Sequence, residues 1–267
     1  MRTRFLSLAV AATAALALAG CATASSDETA EGDDSLTSVQ ESGVLTIGTE
    51  GTYRPFSFHE DGSGDLTGFD VEIATAVAAE LGVEAQFEET QWDAIFAGLE
   101  AGRFDVIANQ VSITPERLET YVFSEPYTYS TGVIVVPTDD DSIDSFESLE
   151  GKTTAQSLTS NWNTLAVESG ATVEGVEGWA QSVALVEQGR VDATINDKLT
   201  FLDYEQTTGA DTIKVAAETE EQSESAFALA EGSTELADAI DEALESLRAD
   251  GTLAEISEKY FGADVTE

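Results

Sequence analysis

Val44-Leu45-Thr46-Ile47-Gly48, then Phe69-Asp70-Val71-Glu72-Ile73-Ala74-Thr75-Ala76-Val77-Ala78-Ala79-Glu80-Leu81-Gly82, then Val83-Glu84-Ala85-Gln86-Phe87 are the three stretches whose reading decides the fold. The first is a short run of β-branched and aliphatic residues and reads as a strand. In the second, apolar residues recur at 69, 73, 77 and 81, on one face of a helix. Gly82 follows as the C′ residue that ends it. The third is again a strand. Between the first two, Asp61-Gly62-Ser63-Gly64-Asp65 is a turn that places Phe56-Ser57-Phe58 and Leu66 on a hairpin. Strand, helix, strand is the repeating unit of a parallel sheet covered by helices.

The same grammar continues outward. Trp92 to Ala101 reads as a helix closed by Gly102, and Phe104 to Ala108 as a strand. Thr114-Pro115-Glu116 has an N-cap, a proline at N1 and an acid in the first turn, and Val133 to Val136 is a strand. After the polar break Asp139-Asp140-Asp141 the pattern restarts. Strands are expected at Thr153 to Gln156, Thr172 to Val176 and Val191 to Ile195, and helices at Ser160 to Glu168, Trp179 to Gln188 and Lys198 to Gln206. Two separate strands, near Ile213 to Ala216 and Ala226 to Ala230, precede two helices, Ser233 to Ala249 and Thr252 to Tyr260. Two such α/β series, with crossings near Ser130 and Ser225, predict two lobes with a ligand cleft between them.

Composition narrows the function. Of 267 residues, 52 are acidic and 11 basic, a formal net charge of -41. Nothing here neutralises a run of phosphates, so nucleic acid is not an expected partner. Docking by charge on an anionic membrane is excluded on the same ground. One His and one Cys exclude the usual zinc sites, iron–sulfur clusters and disulfide frameworks, and no metal or cofactor is expected. The acidic excess keeps a chain hydrated by self-repulsion that salt screens, which fits a saline habitat. His59, the single histidine, has no evident partner in the sequence.

The amino terminus reads as an address. Met1-Arg2-Thr3-Arg4 is basic, Phe5 to Ala19 is apolar and rich in Ala and Leu, and Leu18-Ala19-Gly20-Cys21 resembles a bacterial lipobox. Residues 1–20 are thus expected to be a lipoprotein signal peptide, with Cys21 lipidated and residues 21–43 a flexible acidic linker. From Ala22 to about Ser38 there is too little apolar surface to fold, and about 17 flexible residues reach roughly 20–25 Å. Lobe 1 is expected to comprise residues 44–130 and 226–267, and lobe 2 residues 131–225. The expected place is the outer face of the cytoplasmic membrane, held by the lipid and not spanning.

Several stretches carry a specific resemblance. They are Gly48-Thr49-Glu50-Gly51-Thr52-Tyr53-Arg54-Pro55-Phe56, Gly68 to Ala74, Trp92 to Leu99, Ser112 to Arg117, Phe123 to Tyr127, and Leu247 to Leu253. In this order they resemble the polar amino-acid-binding proteins of ABC importers, from about Val44 to Gly262. The resemblance implies an α/β, two-lobe periplasmic-binding-protein type II fold, each lobe a sheet flanked by helices, joined by two hinge strands. Asn109 to Ile113, Ala155 to Asn163 and Asp192 to Asp197 resemble the cystine/cysteine-binding subgroup.

The residues explain what such a site would do. An α-amino acid offers a planar carboxylate and a compact ammonium. Arg117 is the candidate for the carboxylate, through two parallel charge-assisted hydrogen bonds, and the start of its own short helix adds a field that favours an anion. Its alternative is a surface pair with Glu116 or Glu119. The resemblance adds a Ser112 hydroxyl to the carboxylate and aromatic walls at Tyr53 and Trp92. Asp197, opening a helix after a strand, is the candidate for the ammonium and equally an N-cap. Thr159, Ser160 and Asn161 begin a lobe-2 helix and face the carboxylate from the other side, with capping as the alternative. Glu50 holds either the ammonium or a cationic side chain, and the Gln110 amide reads a second polar end of the ligand.

The expected function is a lipid-anchored solute-binding protein, monomeric, delivering an L-amino acid, cystine or cysteine, to an ABC permease. A basic amino acid is the alternative ligand. A dehydratase of cyclic carboxylates on the same fold is the alternative from another class, and a ligand-sensing ectodomain a third. No hydrolase, P-loop or EF-hand signature occurs, and no catalytic residue is expected.

Overall fold

An apolar residue at every fourth position gives a helix one buried face, and that face decides where it docks. The computed structural model of the protein describes residues 33–267. The signal peptide and Cys21 lie outside the described residues. Helix α2 (Phe69–Glu80) is the clearest case: Phe69, Ile73 and Val77 are fully buried. They face β1 (Val44–Thr49), β5 (Glu84–Glu89) and β6 (Val106–Ser112). Strand β1 runs parallel to both β5 and β6, as strand–helix–strand connections require.

The small antiparallel strands β2 (Thr52–Tyr53), β3 (Ser57–His59) and β4 (Leu66–Thr67) form the expected hairpin region. Helices α3 (Trp92–Glu100) and α4 (Pro115–Leu118) and strand β7 (Val122–Phe123) complete the first part of this lobe. The chain leaves it along β8 (Thr128–Pro137). The second lobe contains β9 (Thr153–Gln156), α5 (Asn161–Glu168), β10 (Thr172–Gly175), α6 (Trp179–Glu187), β11 (Thr194–Asp197) and α7 (Lys198–Thr208). Its core joins Val133, Val135, Ala155, Trp179, Val183 and Phe201. The chain returns along β12 (Ile213–Leu229) and ends in α8 (Thr234–Ala249) and α9 (Thr252–Phe261), packed on the first lobe.

Two features differ from the sequence reading. The separate strands expected near 213–216 and 226–230 are one 17-residue strand. The polar stretch between them lacks the apolar alternation of a half-buried strand. Even so, β8 pairs alongside it, Gln222 with Thr131 and Ser225 with Thr128, with a register shift between Glu218 and Gln222. One end of β12 pairs with β6 of the first lobe and the other with β8 of the second, so β8 and β12 are the two hinge strands. The main sheet therefore runs β11-β8-β12-β6-β1-β5 through both lobes.

The second difference corrects the linker, expected to be flexible through residue 43: Ser35–Ser42 is a helix, α1. Its Val39 is buried against the first-lobe core and Leu36 packs beside it. Two apolar residues three apart suffice because the segment also caps α8. The Asp33 carboxylate accepts from the Glu235 N–H, and the Ser35 hydroxyl oxygen accepts from the Leu236 N–H. Ser233, the residue that would cap α8 locally, makes no such bond. No helix among the described residues is long and apolar enough to cross a membrane.

Candidate functional site

A cavity of about 520 Å³ opens between the lobes, within the range usual for a small-molecule site. Glu50, Tyr53, Trp92 and Gln110 line it from the first lobe, and Ser160 and Asn161 from the second. These are six of the residues named from the sequence. Ser112, Arg117, Thr159 and Asp197 are not part of its wall.

Glu50 directly follows β1, and Asn109 of β6 fixes it. Asn109 Oδ1 accepts from Thr49 Oγ1, the Glu50 N–H and Ser57 Oγ, while its Nδ2 donates to Glu50 Oε2 at 2.7 Å. Glu50 Oε1 is left free. Burial pushes the Glu50 carboxyl up to about 7. The Asn109 bond opposes that shift, and nearby Asp93 and Glu177 add to it. Asn109 escaped the sequence reading as a site residue because its role is to hold another side chain, which no local pattern encodes.

Gln110 is in the left-handed region, φ 50°, an uncommon state for a residue with a Cβ. The buried Asp70 carboxylate stabilises it by accepting from the Gln110 N–H and from Nε2, both at 2.7 Å. Nε2 also donates to Thr128 Oγ1. The donor end of this amide is therefore committed, and Oε1 is buried without a partner. Asp70 itself is pushed up to about 7 by burial, with the Gln110 bonds opposing the shift.

Arg117 is 8% exposed, with its guanidinium against the ring of Trp92, which lines the cavity. The Thr114 side chain caps its short helix, as the sequence predicts. Its Nη1 donates to the Ser112 carbonyl at 2.8 Å, and its guanidinium carbon lies 5.4 Å from the Trp92 ring centre and 5.1 Å from that of Phe96. Among the described residues no carboxylate lies within 4.0 Å of it, so the surface pair with Glu116 or Glu119 does not form. Burial lowers its pKa to about 10. A buried guanidinium without a counter-charge is costly, and an incoming anion removes that cost.

Asp197 is 4% exposed and caps α7: its Oδ1 accepts from the Leu199 N–H and from Ser130 Oγ, both at 2.8 Å. Burial pushes it up to about 6, with those two bonds opposing the shift. Ser112 receives a hydrogen bond from Ser223 Oγ on hinge strand β12. Thr159, expected to face the ligand carboxylate, bonds across the cleft instead of lining the cavity. Its N–H and hydroxyl both donate to Asp93 Oδ1 of the opposite lobe, at 3.1 and 2.8 Å. A carboxylate at the start of α3 is a stronger acceptor for these groups than water, and it fastens the lobes together.

Other contacts cross in the same way. Tyr53 Oη donates to Asn196 Oδ1 at 2.8 Å and accepts from Thr200 Oγ1 at 3.1 Å, and Arg54 pairs with Asp203 at 3.5 Å. The lobes are closed. His59 does have partners: Nε2 lies 3.0 Å from Glu89 Oε2 on the cavity rim, and Nδ1 2.8 Å from the Gly64 carbonyl. The Glu89 bond holds its pKa above the usual value, with the Gly64 bond adding to it. Among the described residues no group of three or more His, Cys, Asp or Glu is placed to hold a metal ion.

Comparison with known proteins agrees with this geometry. The model of the bacterial extracellular solute-binding proteins, family 3, matches residues 45–263. The chain is 48% identical over 254 residues to the L-cystine-binding protein TcyA of Bacillus subtilis, covering 94% of each chain. The unliganded, open L-cystine solute receptor of Neisseria gonorrhoeae is 44% identical over 87% of this chain and 99% of that one, yet superposes with a TM-score of only 0.58. An ancestral arginine-binding protein bound to arginine is 35% identical over 82% of this chain and 99% of that one, and reaches 0.76. The more similar sequence superposes less well because its lobes are open.

Proposed function

The chain belongs to the bacterial extracellular solute-binding proteins of family 3, and from that premise we propose that it binds L-cystine between its lobes and delivers it to the permease of an ABC importer. The observation that carries this reading is Arg117, a buried guanidinium that no carboxylate of the described protein neutralises. A ligand carboxylate in that place makes a bidentate pair. Asp197, with its carboxylate on the second lobe, takes the ammonium. The α-amino-acid head then bridges the lobes and stabilises the closed state by its differential affinity. Tyr53 and Trp92 supply aromatic surface, which suits a disulfide. Ser112 supports the Arg117 end, and Ser160 and Asn161 supply polar groups at the start of α5. Cystine is favoured over a free basic amino acid by the similarity to TcyA. The work is binding and release, with no reaction.

A ligand panel on the purified, ligand-stripped protein tests this. Cystine at about 100 times its dissociation constant adds roughly 2.7 kcal/mol of stability, a melting rise on the order of 5–10 °C for a chain of this size. Cystine and, more weakly, cysteine raise the melting temperature; arginine and lysine give little, and glutamate none. A clear shift with arginine and none with cystine overturns the ligand. Formation of product from a cyclic carboxylate would restore the dehydratase reading.

The protein works outside the cytoplasmic membrane, and Cys21 is its lipid anchor. Cys21→Ser moves it from the membrane fraction to the soluble fraction. Retention of the variant in the membrane fraction, with no acyl label on the wild type, sinks the anchor.

A further inference from the structure

The two oxygens of the Asp197 carboxylate are not equivalent. Oδ1 accepts from Ser130 Oγ and from the Leu199 N–H, both at 2.8 Å. Among the described residues Oδ2 has no hydrogen-bond partner, and it is not one of the five side-chain polar atoms that are buried without one. It therefore keeps accessible surface in a residue only 4% exposed. The preceding residue, Asn196, lines the cavity. Tyr53 of the same wall feels the Asp197 charge, which adds to the upward push that burial gives its hydroxyl.

A single N–H donor pins one oxygen and lets the carboxylate swivel about it. A second donor from another direction fixes the plane, and with it the direction of the free oxygen. Here the second donor comes from a hinge strand. Ser130 is on β8, and its register partner on β12 is Ser223. Ser223 Oγ donates in turn to Ser112 Oγ at 3.1 Å. Each hinge strand thus gives one hydroxyl to one end of the amino-acid head site.

We propose that Ser130 is a positioning residue for ligand binding: from hinge strand β8 it holds Asp197 Oδ1, so that Oδ2 is presented to the ammonium of the ligand. This role rests on Asp197 being the ammonium partner. Ser130 is not part of the cavity wall, so it acts through Asp197. A donor to the charged form also favours that form. Burial pushes the Asp197 carboxyl up, and the Ser130 bond opposes the rise, as does the Leu199 bond. Tyr53 of β2 and Asp70 of α2 are the titratable groups that feel the Asp197 charge, and Lys198 beside it is paired with Glu218. None of these groups bonds to the Ser130 hydroxyl.

Titration calorimetry with cystine at pH 8 and at pH 5 tests the role. At pH 8 Asp197 is ionised with or without the hydroxyl, and Ser130→Ala loses about threefold through aim alone. At pH 5 it loses about tenfold or more, because weaker support of the charged form moves the acid limb of the affinity to higher pH. Ser130 borders a second cavity, of about 350 Å³, which gives room for a methyl group. Ser130→Thr therefore binds within about twofold of the wild type at both pH values, whereas Ser130→Val, of the same shape without the hydroxyl, behaves as the alanine does. That pair answers the question even where the alanine fails to fold. In an Asp197→Asn background the loss of the hydroxyl costs less than about twofold at either pH, since no charge is left to support. A loss that is the same at both pH values, the same in the Asp197→Asn background, or absent, overturns the role. Asp197→Asn that binds like the wild type overturns the ammonium reading together with it. Asp197→Asn that binds poorly beside a normal Ser130→Val sinks the positioning role alone.

Discussion

Arg117→Ala folds normally and binds its ligand more weakly by about 3 kcal/mol or more, a hundredfold or greater loss in calorimetry. This guanidinium is nearly enclosed. It is held by the Ser112 carbonyl and by the faces of Trp92 and Phe96, contacts that compensate only part of its lost hydration. The alanine variant removes that unsatisfied charge together with a few aromatic contacts, so the ligand-free melting temperature changes little. The ligand carboxylate, by contrast, enters a buried place with no positive partner. Arg117→Lys restores only part of the affinity. An ammonium carries the charge but not the fork of two parallel donors, and it stacks less well on the two rings. If both variants bind within a factor of three of the wild type, the carboxylate lies elsewhere.

Asp197→Asn is expected to cost about 2–3 kcal/mol of affinity, the range for truncating one partner of a buried charge pair. Asparagine caps a helix about as well as aspartate, so α7 and its bond to the Leu199 N–H survive and the loss reports charge. The pH profile separates this from a packing defect. Burial pushes Asp197 up to about 6 and Glu50 to about 7. An ammonium favours the ionised form of each, so binding releases protons, and affinity rises with pH between about 5 and 8. On the acid side each group costs up to about tenfold per pH unit. The sign for folding is opposite. A carboxyl with a raised pKa keeps in the ligand-free fold a proton that the unfolded chain has already lost. Its contribution to stability therefore falls as pH rises from about 4 to its folded value. Dissociation constants at pH 5, 6, 7 and 8 check the prediction. Asp197→Asn loses the limb near pH 6 and keeps the one from Glu50. A variant with the wild-type profile and wild-type affinity removes Asp197 from the site.

The sequence by itself determined what is local. The fourfold spacing of Phe69, Ile73 and Val77 specifies α2 and its buried face, and Gly82 follows where that helix stops. Thr114, Ser160 and Asp197 all cap the helices they precede, because an N-cap needs only a short polar side chain and the two or three residues after it. The charge, likewise readable without coordinates, excluded nucleic acid, the two α/β series gave the two-lobe architecture, and the family resemblance gave the class of ligand. Tertiary structure alone decided the rest. A polar stretch became part of β12 because β8 lies beside it. Residues 35–42 became a helix because Leu36 and Val39 pack on the first-lobe core while Asp33 and Ser35 cap α8. Asn109 holds Glu50 from 59 residues away, and Thr159 is turned to Asp93 across the cleft, 66 residues away. Periodicity and capping act over a turn of chain, so a sequence carries them openly. Desolvation depends on everything that surrounds a group, and it is desolvation that lowers the pKa of Arg117 and raises those of Glu50 and Asp197, so these properties exist only once the chain has folded around them.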